Sequence, residues 1–134
     1  MFMRAWRPTA VLVVLLGVAA GCGADQGADA RATAMRFTDA VSSGDHSLAC
    51  SLLAPETKAQ LEQAAGKPCA AAIAEEDLPA ADALEHAAVF GTMAQMRFAG
   101  DTVFVSQFPR GWRVLAAGCS PLPGQPYDCR LQGG

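Results

Sequence analysis

The apolar residues of this chain change period once, and that single change restricts the folds open to it. Before residue 75 they recur at helical spacing, and after residue 84 they alternate. Ala30, Ala34, Phe37 and Val41 fall on one stripe of a helix, with Arg31, Arg36 and Asp39 off it. Gly44 ends that helix, and Asp45 is placed to cap a second, short one carrying Leu48, Leu52 and Leu53. Pro55 suits the first position of a third helix, Glu56 complements its positive end, and Leu61 and Ala65 face inward. Gly66-Lys67-Pro68 stops it, and a short Ala-rich turn of helix over residues 69–74 follows.

The second half reads as strands. Residues 84–90 and 92–98 are separated by Gly91, and Gly100-Asp101 signals a tight hairpin into residues 102–108. Pro109-Arg110-Gly111 makes the next turn, into residues 112–116. Phe104, Ser106 and Phe108 alternate with Val103, Val105 and Gln107, so this strand is apolar on both faces and is expected to be central. The segment 120–126 holds three prolines and reads as a loop, with a short last strand over residues 127–131. Helices followed by antiparallel strands predict an α+β fold, N-terminal helices packed on a curved antiparallel sheet of about four strands.

The first 21 residues are expected to lie outside that domain. Arg4 and Arg7 precede the apolar run 10–20, and Asp25 and Asp29 follow it closely. A positive flank, a short apolar run and a small-residue exit at Ala19-Ala20-Gly21 form an export signal. The run falls short of the roughly 20 apolar residues that a permanent span requires. Val18-Ala19-Ala20-Gly21-Cys22 resembles the lipobox of bacterial lipoprotein precursors, with Ala19 where Leu is commonest. The resemblance implies a diacylglyceryl thioether on Cys22 and cleavage between Gly21 and Cys22. An ordinary secretory signal or an uncleaved anchor is the alternative. The expected organisation is a lipoprotein signal peptide over 1–21, a flexible lipidated tether over 22–28, and one domain over 29–134.

The chain has five cysteines. With Cys22 lipidated, Cys50, Cys69, Cys119 and Cys129 form an even set, which in an oxidising compartment reads as two disulfides. Three connectivities are open, and locality favours Cys50–Cys69 with Cys119–Cys129. No CxxC pair accompanies His46 or His86, so metal-ligand spacing is absent and no metal or cofactor is expected. Removing Arg4 and Arg7 with the signal leaves 8 basic residues against 13 acidic, a formal charge of −5. Without a Lys/Arg cluster, an acidic domain attracts neither nucleic acid nor anionic lipid, and nucleic-acid binding is not expected.

The order of elements, the junction Leu52-Leu53-Ala54-Pro55-Glu56 and the late-strand motif Gly111-Trp112-Arg113-Val114 resemble the nuclear-transport-factor-two-like superfamily of cone-shaped α+β domains. Within it, the chain is similar to small lipoproteins of high-GC actinobacteria that share paired cysteines. The resemblance covers residues 29–131, with an unrelated helix-on-sheet sandwich as the alternative. It implies an apolar pocket between sheet and helices, used by some members for isomerase or dehydratase chemistry and by others for binding alone. His86, Phe104 and Trp112 are the residues expected to line such a pocket, with His86 as its acid–base candidate. Tyr127, the only tyrosine, does not match an isomerase oxyanion residue. His46 and the acidic run Glu75-Glu76-Asp77 read as surface groups, Ser106 and Ser120 have no identifiable neighbouring base, and Met93 and Met96 read as strand packing. The expectation is therefore a lipoprotein held to the extracytoplasmic face of the cell membrane through Cys22. It would serve the cell envelope as a non-catalytic module for a protein partner or small apolar ligand; the alternative is a small pocket enzyme.

Overall fold

The computed structural model describes residues 22–133: four helices, then five strands. The helices are α1 (Cys22–Ser43), α2 (His46–Leu52), α3 (Pro55–Ala65) and α4 (Cys69–Glu75). The strands are β1 (Leu84–Phe90), β2 (Met93–Phe98), β3 (Asp101–Phe108), β4 (Gly111–Leu122) and β5 (Gln125–Gln132). They form one antiparallel sheet in the order β1-β2-β3-β4-β5, so β3 is central, as its two apolar faces require. The proposed cleavage site at Gly21 lies outside the described residues.

Each helix boundary has a local cause. The Asp45 carboxylate accepts from Leu48 N–H at 3.1 Å and starts α2. Pro55 opens α3, and Gly66, at φ 66°, ends it in the left-handed conformation, donating to Glu62 O. Pro68 offers α4 no side-chain cap, so Glu62 Oε2 reaches across from α3 to accept from Cys69 N–H at 3.1 Å. Residues 22–28 do not form a flexible tether: they are the first two turns of α1. Ala24 and Ala28 favour helix, and Gly27 packs beside Val89 of β1.

The core lies between the helices and one face of the sheet. Phe37, Leu52, Leu53, Leu61 and Ile73 meet Met96, Phe98, Val103, Val105, Trp112, Val114 and Leu131 there. The inward set follows the pleat: Val103 and Val105 of β3 pair with Met96 and Ala94 of β2, and Val105 with Val114 of β4. At the start of α3, Ala54 N–H bonds Val114 O at 2.8 Å and Thr57 Oγ1 donates to Leu115 O at 2.8 Å. This joins helix and sheet by hydrogen bonds where β4 runs beyond the end of β5.

The sheet has five strands, and residues 120–126 are not a loop. Two-residue Pro123-Gly124 is the whole turn, and β4 and β5 extend to either side of it. The prolines are tolerated because Pro121 falls at a register shift and Pro126 lies on the last, edge strand. The β2–β3 turn is Ala99-Gly100, one residue earlier than the Gly100-Asp101 signal. Gly100 adopts φ 97° and lies so close to Ala80 O that a Cβ would stand 2.6 Å from it. Asp101 becomes the first residue of β3 and turns inward.

Candidate functional site

Sheet edge and helix meet without closing over each other. Ala30, Ala34 and Phe37 are the buried face of α1, which leaves Arg31, Ala32 and Met35 beside β1. On β1, Ala87 and Val89 pair with Met96 and Ala94 and so face the helices, yet the strand has no neighbour beyond it. The result is a groove of about 510 Å³ lined by Gly27, Ala28, Arg31, Ala32, Met35, Ala87 and Val89. A second depression of about 440 Å³ shares Arg31, Met35 and Ala87 and runs on to Leu84, Glu85 and His86. The Arg31 guanidinium has no ion-pair partner among the described residues. Small apolar walls and an unpaired strand edge can hold an extended apolar chain; Arg31 adds a cation to the groove, and Glu85 and His86 are the titratable groups of the adjoining depression.

His86, Phe104 and Trp112 do not converge. Trp112 belongs to the core, on the helix side of β4. Phe104 alternates with the buried Val103 and Val105 and so stands on the opposite face. There its ring meets Tyr127 edge-on at 5.2 Å, and Gln95 Nε2 donates to Tyr127 Oη at 2.9 Å. His86 is exposed on β1 opposite Arg97, with no hydrogen-bond partner among the described residues. An acid–base group aimed into an enclosed apolar space is thus not what His86 provides. The sequence carried no sign of the Gln95–Phe104–Tyr127 cluster, because it depends on how β5 crosses the sheet.

Asp101 is the polar residue that sequence reasoning passed over. It is buried, and three backbone N–H groups point at its carboxylate: Thr102 at 2.7 Å and Cys119 at 3.0 Å to Oδ1, Gly118 at 3.1 Å to Oδ2. These donors flank an irregularity in β4, where Ala117 and Gly118 together oppose the single residue Val103 of β3. Gly118, at φ 64°, absorbs the extra residue. Burial pushes the Asp101 carboxyl above the ordinary carboxylate value, and the three N–H groups oppose that rise. The space beside it, between Phe37, Thr38, Val41 and Leu78, is about 10 Å³, room for about one water. Asp101 holds a bulge together, and this space is too small for a substrate. An Asp beside a turn glycine with a second glycine in the next strand is the one sequence trace of it.

Cys50 pairs with Cys69 and Cys119 with Cys129, the two local connections. Cys50–Cys69 ties α2 to α4, and Cys119–Cys129 links residues directly opposite on β4 and β5. All four downstream cysteines are spent on each other, so none of them can pair with Cys22 at the start of α1. Among the described residues no three His, Cys, Asp or Glu side chains gather where they could hold a metal ion. Glu75 forms an exposed ion pair with Lys67 at 2.6 Å, Met96 is buried, and Met93 is exposed. Ser106 Oγ donates to Thr92 O at 3.3 Å, and Ser120 is exposed. Among the described residues, neither hydroxyl makes a hydrogen bond to an acidic or basic side chain.

Comparison with family models, with curated proteins and with solved structures finds no match to this chain.

Proposed function

We propose that the protein is a lipoprotein anchored at the extracytoplasmic face of a membrane through Cys22, serving the cell envelope as a non-catalytic binding or accessory module. The observation that carries the reading is the cysteine arithmetic. Four of five cysteines close two local disulfides, and the fifth follows an apolar run and three small residues at the head of α1. Disulfides of this kind accumulate in oxidising compartments, and a thiol placed behind an export signal is the group that lipoprotein processing consumes. Two acyl chains hold a protein on a bilayer without any spanning helix. Among the described residues, no helix is long and apolar enough to cross a membrane.

The binding role rests on the groove beside β1, whose apolar walls and open strand edge suit an extended peptide segment or a slender apolar ligand. The cone-like superfamily contributes little to this reading beyond helices that precede strands. Buried side chains fill the core between helices and sheet, and the accessible apolar space lies at its open edge, between α1 and the helix-facing side of β1.

Intact-mass analysis of the chain purified from membranes tests the anchor. The expected species begins at Cys22 and carries added lipid mass, and Cys22→Ser removes that mass and leaves the chain unprocessed or released. A Cys22→Ser chain that is processed normally and retained on the membrane refutes the anchor. Binding is tested with peptides read from an extended library; saturable binding that Met35→Glu abolishes supports the groove, and indifference to that change refutes it.

A further inference from the structure

Among the described residues, three of the five exposed large apolar side chains lie together at one end of the molecule. Phe90 is 65% exposed, Val89 41% and Met93 40%; Met35 lies further along α1, towards Leu84, and Leu122 lies at the other end of the sheet. Val89, Phe90 and Met93 flank the turn Gly91-Thr92 of the β1–β2 hairpin. An exposed tip of this composition loses free energy in water and gains it in an apolar medium.

The direction of α1 says what that medium is. Strand β1 runs antiparallel to α1, since Leu84 lies by Met35 and Val89 by Gly27. A Cβ built on Gly27 would stand 3.8 Å from Val89 Cγ2, so helix and strand touch at that level. Five helical steps lead from Gly27 back to Cys22, a rise of about 7.5 Å. Two strand residues carry β1 from Val89 to Gly91, also about 7 Å in the same direction. The hairpin tip and the first residue of α1 therefore reach about the same height. In the sequence, the apolar run 10–20 precedes that residue, with Gly21 between them. The charges near this end are few and of both signs: Arg110 in the second turn, Arg31 beside Val89, and the exposed Asp29 of α1.

We infer that the β1–β2 hairpin is a second, apolar membrane contact: with Cys22 lipidated, Phe90, Val89 and Met93 enter the interfacial layer of the bilayer beside the anchor. The inference rests on the lipoprotein reading above and adds an orientation to it. The long axis of α1 then points away from the bilayer, and Leu122 with the Pro123-Gly124 turn faces the aqueous side. Apolar burial at the headgroup–acyl boundary is the attraction, so the contact requires no anionic lipid.

The test uses the full chain, expressed so that it is processed, and placed in vesicles of phosphatidylcholine with brominated acyl chains. Phe90→Trp is compared with Leu122→Trp, both read against the unsubstituted chain. The expected result is that Phe90→Trp emission moves to shorter wavelength and is quenched by the brominated lipid, while Leu122→Trp is unchanged. Both sites are exposed in the folded domain, and an unaltered circular dichroism melt confirms that each variant folds. A lipid-bearing mass with Phe90→Trp unquenched overturns the hairpin contact and leaves the anchor standing. Equal quenching at both sites also overturns it. A mass without lipid overturns the anchor and the contact together. A blue shift that appears without vesicles and grows with protein concentration assigns the tip to a second copy of the chain and overturns the membrane contact.

Discussion

Asp101 shows how one side chain can decide the course of a strand. Its two oxygens accept three N–H groups that the bulge in β4 would otherwise leave unpaired in the interior. Asn at this position keeps one acceptor oxygen and aims an amide donor at the remaining N–H. Asp101→Asn should cost roughly 1–3 kcal/mol of stability, read from urea denaturation. The pH dependence has a definite sign. Burial raises the carboxyl in the folded state, so between the ordinary carboxylate value and the raised one the native protein binds more protons than the unfolded chain. Stability from this group is present at the acid end of that window and falls as pH rises through it. Asp101→Asn should remove that fall, so the gap between the parent and the variant narrows as pH rises; a gap that widens would contradict the assignment. Trp112 decides less but contributes more, since its ring is almost wholly enclosed between helices and sheet. Trp112→Ala should destabilise by about 3–5 kcal/mol. A melting temperature that stays put would place the ring at the surface.

Short elements here depend on what holds their ends. Helix α4 has seven residues, too few to persist alone, and is kept by Cys50–Cys69, by Glu62 at its first N–H and by the burial of Ala72 and Ile73. Replacing Cys50 and Cys69 together by Ala opens a separation of 19 residues, and the loss should be about 3 kcal/mol in the chain-entropy account. Hydrogen exchange should show α4 losing protection before the sheet does; uniform loss would mean that the helices do not open independently. The elements that the sequence revealed well are those with local causes. Asp45, Pro55 and Gly66 mark helix ends because each acts within its own turn, and β3 announces its central place by apolar residues on both faces. The errors have non-local causes. Prolines 121, 123 and 126 suggest a loop until it is known that β5 is an edge and that a register shift absorbs Pro121. Residues 22–28 suggest a tether until Gly27 is seen against Val89.

The domain expected after processing is acidic, and its exposed large apolar groups are gathered mainly at the end where α1 begins. An anchored protein of this design should stay on phosphatidylcholine vesicles as ionic strength rises, because apolar attachment is not screened. Flotation at low and high salt checks this, and release by salt would show that charge holds the protein down. The sequence by itself determined the class of the fold, the helix ends and the even set of downstream cysteines, because periodicity, caps and counts are properties of neighbours along the chain. It also placed Cys22 behind an apolar run, which is the basis for the anchor. Only the tertiary structure decided that the interior is filled, that Trp112 and Phe104 lie on opposite faces, that Asp101 is buried, and that the open groove and the apolar hairpin tip lie along the first turns of α1. Those facts follow from which strands become neighbours and where one strand carries an extra residue. Contacts of that kind join positions tens of residues apart, and no local pattern encodes them.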